Sequence, residues 1–183
     1  MLYGPAMQIR RETSSDHAAV EHVQRQAFPE AKDAAAYVAD LRASLQERLG
    51  LSLVAVDNGD VVGHALFTSN LLDAQLRLIE VQVLSPLGVM PSHQRQGIGR
   101  ALVESGVDEL ARLDVPMVIL EGSPTYYASL GFRPGRQLGL RRPSLRIPDE
   151  AFQARTLPAY EPWMTGTLVY QQAFWDHDAV GLR

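Results

Sequence analysis

The chain has 183 residues, 46% of them hydrophobic and 21% charged, a balance that supports one substantial core and argues against disorder. Its formal net charge of −4 gives no general attraction to nucleic-acid phosphates or anionic lipid, so any bound anion must be held by a local site. With no cysteine there is no disulfide, no thiolate nucleophile and no cysteine-type zinc site, which agrees with a reducing, cytoplasmic compartment.

One domain over residues 1–183 is expected, since no linker interrupts the chain. Met1 to Arg11 lacks the long apolar stretch of a signal peptide, and no later run reaches the roughly 18 apolar residues of a membrane helix. A soluble protein with neither a membrane nor a nucleic-acid partner follows. Met7 opens a natural first strand, Gln8-Ile9-Arg10-Arg11, so residues 1–6 read as an upstream start or an added remnant.

Ser15 and Asp16 then offer an N-cap and a first-turn acid, and Val20, Val23 and Ala27 recur at helical spacing up to Phe28-Pro29. A second helix begins near Asp33, places Tyr37 or Val38, Leu41 and Leu45 on one face, and ends before Gly50. Leu51 to Val56 and Val61 to Thr68 are strands, and Asn58-Gly59 between them tolerates the positive φ angles of a tight hairpin. Leu76 to Val89 reads as a long strand in which Pro86, unable to donate to a ladder, predicts a bulge or an unpaired edge.

A polar turn, Met90 to Gln96, leads into a helix with a buried stripe of Ile98, Ala101, Leu102, Gly106, Leu110 and Leu113 and a wet face of Arg100, Glu104, Asp108 and Arg112. Val115 to Leu120 is a continuous apolar run, as expected of a strand buried on both faces beside a parallel neighbour. Ser123 and Pro124 form a helix start, and Gly131 ends that short helix. Residues 133–165, rich in proline and arginine, are expected to be a mostly irregular excursion on the substrate side before a last strand, Gly166 to Phe174.

The strongest chemical signal is Gln94-Arg95-Gln96-Gly97-Ile98-Gly99. Between a strand and a helix, its glycines admit a close ligand, and the free amides and positive dipole end favour phosphate. Arg95 and Arg100 add local charge. A Walker loop requires Gly-Lys-Ser or Gly-Lys-Thr, and a dinucleotide fold requires Gly-x-Gly-x-x-Gly after its first strand; neither occurs here. The competing explanation is that Gly97 and Gly99 simply permit tight helix packing.

Val89-Met90-Pro91 followed by this turn resembles the coenzyme A loop, Gln/Arg-x-x-Gly-x-Gly/Ala, of the GCN5-related N-acetyltransferases. Tyr127-Ala128-Ser129-Leu130-Gly131-Phe132 is similar to that family's Tyr-x-x-Leu-Gly-Phe element. Val62-Gly63-His64, Leu84 to Val89, Pro124-x-Tyr126-Tyr127 and Gly166-x-Leu168-Val169-Tyr170 extend the likeness over most of the chain. The resemblance implies an α/β fold: a mixed sheet splayed between its fourth and fifth strands, with helices on both faces and acetyl-CoA in the gap.

It also implies that Leu87, Gly88 and Val89 offer strand backbone to the pantetheine arm and thioester. Arg95, Gln96, Gly97, Ile98, Gly99 and Arg100 would hold the pyrophosphate, and Gln94 would support the turn. Tyr127 would protonate the departing thiolate, a task suited to a phenol with pKa near 10. The side chains of Leu87 and Val89 equally suit a core, and Tyr127 equally suits a half-buried aromatic.

An attacking amine must first lose a proton. Glu121, at the carboxyl end of the fifth strand, and Glu80, on the fourth, are candidate bases if their pKa is raised, although each also reads as an ordinary paired acid. Glu121 departs from the glycine that the resemblance implies at this position, so the resemblance does not settle its role. Ser123 reads first as a helix cap and second as a coenzyme contact. His64 reads as structural, and His17, His22, His93 and His177 show no metal spacing, so no metal is expected. Trp163 and Trp175 read as packing residues, with Trp163 also a candidate border of the substrate pocket.

The expected activity is therefore N-acetyl transfer from acetyl-CoA to a primary amine of a small molecule or protein, with a homodimer implied by the resemblance alone. The rival is a silent acyl-CoA-binding sensor or protein-interaction module.

Overall fold

The computed structural model describes residues 7–31 and 33–181, so the reading of Met1 to Ala6 lies outside the described residues. Strand β1 (Gln8–Arg11) pairs antiparallel with β2 (Gly50–Asp57), β2 with β3 (Asp60–Ala74) and β3 with β4 (Leu78–Val89). The β2–β3 hairpin turns on Asn58 at φ +50° and Gly59 at φ +93°, the left-handed pair that the sequence supplies.

A 3-10 turn, Ser14–Asp16, takes in Ser15 and leads into helix α1 (His17–Ala27), so the capping residue is Thr13, whose N–H donates to Asp16 Oδ2 at 2.8 Å, and not Ser15. Arg10 clamps the same carboxylate at 2.7 and 2.8 Å, which holds Asp16 well below the usual carboxylate range. Helix α2 (Ala34–Ser44) begins as expected, with Asp33 Oδ1 accepting the Ala36 N–H at 3.2 Å.

The two faces of the sheet carry separate cores. Val20, Tyr37, Val38 and Leu41 of α1 and α2 pack with Leu66, Leu72, Val81 and Val83 of β3 and β4. On the other face α3 (Ile98–Arg112) buries Ile98, Leu102, Val103, Val107 and Leu110 against Leu53, Ala65, Phe67 and Leu84. Each such side chain contributes about 1.5–3 kcal/mol, so this face alone anchors α3. Leu113 is a correction: it lies past the end of α3 and is exposed, while Val103 and Val107 complete the buried stripe.

Strand β5 (Met117–Glu121) runs parallel to β4 but pairs with it only at Gln82↔Val118 and Val83↔Ile119. Just beyond, β4 bulges: Ala65 faces Leu87 and Phe67 faces Leu84, so Leu66 alone stands opposite Ser85 and Pro86. From Leu84 to Val89, β4 is hydrogen-bonded to β3 on one side and open on the other. The expected splay between the fourth and fifth strands is thus present, beginning at the proline bulge.

Residues 133–165 are more ordered than expected. After α4 (Pro124–Ala128) come β6 (Arg133–Pro134), β7 (Leu140–Arg141) and β8 (Phe152–Thr156), and β8 pairs antiparallel along all of β5, burying Phe152 and Ala154. The last strand is also shorter than expected: β9 (Gly166–Val169) pairs with β3, and Gln172–Asp176 forms helix α5, which buries Phe174. The sheet order is β1-β2-β3-β4-β5-β8-β6.

His64 anchors a buried polar chain across the α1 face. Arg42 binds Glu12 at 2.6 Å, the Ser52 hydroxyl donates to Glu12, His64 Nε2 donates to Ser52 at 2.9 Å, and Gln24 donates to His64 Nδ1 at 2.8 Å. The anionic end fixes the tautomer, because Ser52 spends its only proton on Glu12. Burial pushes the His64 pKa down to about 4; Glu12 is lowered too, where the bonds from Arg42 and Ser52 outweigh burial.

The unfolded chain therefore binds a proton at His64 that the native chain refuses, and stability falls as pH drops from about 6.5 towards 4. His64 alone gives on the order of 3 kcal/mol. Thermal unfolding followed from pH 7 to pH 4.5 should show this decline, and a His64→Gln variant should show a flatter one. Equal slopes would remove His64 as the titrating group.

Candidate active site

The turn before α3 leaves its backbone amides free. Arg95 at φ +60° and Gly97 at φ +86° are both left-handed, and Gly97 is the N-cap. The first intrahelical bond is Ala101 N–H to the Gly97 carbonyl at 2.9 Å, so the amides of Ile98, Gly99 and Arg100 belong to the unbonded first turn. A methyl added at Gly97 meets nothing within 4 Å, so this glycine serves the turn and not helix packing. Gly99 is different, because a methyl there would stand 2.7 Å from the Tyr126 hydroxyl.

Side chains brace the turn. Gln94 Nε2 donates to the Val89 carbonyl at 3.1 Å, and Gln96 Nε2 donates to the Ser92 carbonyl at 3.2 Å. Arg95 is exposed beside the free amides. The Arg100 guanidinium reaches α4 instead, donating to the Ser129 carbonyl at 3.3 Å and to Ser129 Oγ at 3.0 Å, so it ties α3 to α4. Ser123 is a cap, its Oγ accepting the Tyr126 N–H at 3.4 Å.

Leu87, Gly88 and Val89 lie on the open stretch of β4, opposite Ala65, His64 and Gly63. Leu87 and Val89 turn their side chains to the α3 face. Gly88 faces α1, where a methyl would stand 2.9 Å from Gln24 Oε1. Leu87 and Val89 thus serve the core with their side chains, Gly88 makes room for Gln24, and all three carry backbone groups along the open side of β4.

Tyr127 belongs to the same α3-face cluster as Leu87 and Val89. Its ring lies edge-on to Tyr126 and Phe132, with centroids 4.9 and 5.6 Å away, and it occupies the space over Gly122, where a methyl would stand 2.3 Å from Tyr127 Cε2. Among the described residues its hydroxyl has no hydrogen-bond partner. Burial pushes the phenol above its ordinary range, so it is protonated at neutral pH and available as a donor.

The two candidate bases lie apart. Glu80 is exposed and accepts from Ser69 on the stretch of β4 before the gap. Glu121 ends β5 at the gap, half-buried, with Oε1 accepting the Tyr170 hydroxyl at 2.6 Å and Oε2 accepting the Gly181 N–H at 2.8 Å. Burial raises its pKa against the opposing effect of those two bonds, the direction a base working near neutrality requires.

Sequence reading missed the residues around Glu121. Tyr170 reads as part of a strand and Tyr37 as part of a helix core, and nothing in the sequence marks Ser85, whose Oγ lies 3.0 Å from the Tyr37 hydroxyl at the bulge. The C-terminal motif ending in Tyr170 was the available signal. Trp163 packs against the α1-face core under Arg77 and donates to Glu161 Oε2 at 2.9 Å. Among the described residues, no group of three or more histidines, cysteines or carboxylates is placed to hold a metal.

Comparisons with known proteins show the family and the fold. Residues 8–135 match the family described as an acetyltransferase (GNAT) domain. The chain is 36% identical to the uncharacterized N-acetyltransferase YjhQ of Escherichia coli K12 over 66% of this chain and 66% of that one. It is 32% identical to the uncharacterized N-acetyltransferase YhbS of the same strain over 82% of this chain and 87% of that one. The fold superposes on the crystal structure of YhbS from E. coli in complex with CoA with a TM-score of 0.81 at 29% identity, covering 95% of this chain and 96% of that one. A GNAT family acetyltransferase from Brucella melitensis, crystallised with acetyl-CoA, gives a TM-score of 0.73 at 30% identity, covering 92% and 97%.

Proposed function

Because the chain belongs to the GNAT acetyltransferase family, we propose that it transfers an acetyl group from acetyl-CoA to a primary amine by direct attack within a ternary complex. The observations that support this reading are the open β4 backbone at Leu87 to Val89, the free-amide turn at Gly97 to Arg100 that follows it, and Tyr127, packed in the same cluster as Leu87 and Val89. Solved relatives of the same fold hold CoA or acetyl-CoA, which supports the same ligand here.

The cradle fits a pyrophosphate: its amides are unbonded within the protein, Arg95 adds positive charge, and Gly97 leaves the space above them open. Backbone groups of Leu87, Gly88 and Val89 orient the pantetheine arm and polarise the thioester oxygen. Glu121, half-buried and raised in pKa, removes a proton from the acceptor ammonium; Glu80, exposed and before the gap, does not take this role. The amine nitrogen bonds to the carbonyl carbon, the carbon–sulfur bond breaks, and Tyr127 gives its proton to the leaving thiolate and is reprotonated from solvent, to which Glu121 releases the first nitrogen proton and the adduct its second. Amide, free thiol and one proton to solvent balance the step.

No covalent enzyme intermediate is involved. Holding both reactants in one preorganised site supplies most of the acceleration. A cysteine-free chain suits the cytoplasm, where we place this work.

Mass spectrometry of a panel of primary amines incubated with acetyl-CoA and the protein tests the reading. An N-acetylated product with release of free CoA is expected. Tight acetyl-CoA binding without product from any amine would favour the silent binding module instead.

A further inference from the structure

The cradle and the carboxylate lie on opposite faces of the sheet. Tyr127, Leu87 and Val89 belong to the α3 face, whereas β5 alternates so that Met117, Ile119 and then Glu121 point to the α1/α2 face. The two faces communicate where β4 and β5 separate, beyond Val83 and Ile119. Around Glu121 stand the Tyr37 hydroxyl on Ser85, the Tyr170 ring stacked on Phe174 at 4.3 Å, and Tyr37 edge-on to Phe174 at 5.7 Å.

The chain after α5 returns over this spot. The Ala179 N–H donates to the Phe174 carbonyl at 2.8 Å, Val180 is fully buried, Asp178 pairs with Arg146 at 2.6 Å, and Gly181, at φ +93°, presents its N–H to Glu121. A carboxylate oxygen at the gap, on the face away from the cradle, is thus already filled by an N–H donor of the protein's own chain. A backbone amide is a neutral donor, and an ammonium makes the stronger, charge-assisted bond to the same oxygen.

We propose that the acceptor enters from the α1/α2 face and that its ammonium lodges on Glu121 in the place taken here by the Gly181 N–H, so that the turn Ala179–Gly181 is the displaceable cover of the acceptor site. The proposal rests on the acetyl-transfer reading and deepens it with an acceptor class. The walls are aromatic, the anchor is one carboxylate, and Arg146 is near enough to act on the charge of Glu121. A monoamine on a slender apolar or aromatic stem fits; a polyamine brings a second cation towards Arg146.

Steady-state kinetics with acetyl-CoA and two probes, benzylamine and spermidine, test it. The wild-type chain is expected to use benzylamine with a kcat/KM at least tenfold above that for spermidine. Glu121→Gln should raise KM for benzylamine at least tenfold relative to KM for acetyl-CoA. A chain ending at Ala179 should lower KM for benzylamine several-fold. Because that chain loses a buried valine, Gly181→Ala provides a second test: its methyl would stand 3.0 Å from the Arg146 carbonyl at a left-handed φ, loosening the same turn with Val180 in place, and should lower KM likewise.

A KM ratio unmoved by Glu121→Gln, a preference for spermidine, or an unchanged or raised benzylamine KM in both turn variants would overturn the proposal while acetyl transfer stood. Failure of the wild-type chain to acetylate benzylamine while another primary amine is turned over would overturn the proposal alone; no product from any amine, with acetyl-CoA bound, would overturn it together with the transfer reading.

Discussion

Replacing Tyr127 by phenylalanine should lower kcat for acetyl transfer by about two orders of magnitude or more, the usual contribution of a positioned general acid, with the dissociation constant of acetyl-CoA unchanged. The ring stays: its edge-on contacts with Tyr126 and Phe132 and its place over Gly122 do not involve the hydroxyl, so packing survives the substitution. Only a proton donor is lost, and no protein group is left unpaired by it, because among the described residues nothing bonds to that hydroxyl. Steady-state kinetics beside calorimetric acetyl-CoA titration separate the two quantities. Full activity would remove Tyr127 from the chemistry. Gly122→Ala provides the complement, since a methyl 2.3 Å from Tyr127 Cε2 must displace the ring while the hydroxyl remains. It should lower kcat too, which ties the effect to the position of the phenol as well as its presence.

What the sequence made legible follows from how local the determining interactions are. The Asn58-Gly59 hairpin, the α3 amphipathic period and the proline bulge each depend on neighbours within one or two turns of chain, and each is where its residues put it. Strand β8 is the opposite case. Phe152 to Thr156 has little alternation to read, and it is a strand because β5 lies on one side and β6 on the other, with buried Gln153 donating to the Gly122 carbonyl at 3.2 Å. Residues Gln172 to Phe174 misled in the other direction, since a β-rich run continues past Val169 while the chain turns to bury Phe174 under Tyr37.

The same distinction divides the site. The cradle is a contiguous stretch, and its left-handed Gly97 and braced Gln94 are properties of that stretch alone. The surroundings of Glu121 are assembled from the ends of the chain: Tyr170 lies 49 positions away and Gly181 lies 60. No spacing rule joins such residues, so the carboxylate was visible in the sequence and its environment was not. His64 shows that a structural assignment can be correct while the reason stays hidden, since its partners Gln24 and Ser52 come from different elements.

The Gly97→Trp variant should lose acetyl-CoA affinity by at least a hundredfold. An indole at this position is not refused by the protein, since nothing lies within 4 Å of the added Cβ; it is directed into the space above the Ile98, Gly99 and Arg100 amides where a phosphate would sit. Charge-assisted bonds to such amides contribute roughly 1.5–3 kcal/mol each, so losing two exceeds the factor of a hundred. The left-handed φ of +86° adds about 1–2 kcal/mol of strain for any side chain, and that strain lowers stability as well as affinity. Gly59→Trp separates the two effects: Gly59 has φ +93° and equally open surroundings, but it sits in the β2–β3 hairpin. It should suffer the same strain and keep its acetyl-CoA affinity in a calorimetric titration. Equal losses in both variants would mean that strain alone disturbs binding and that the amide turn before α3 is not the phosphate cradle.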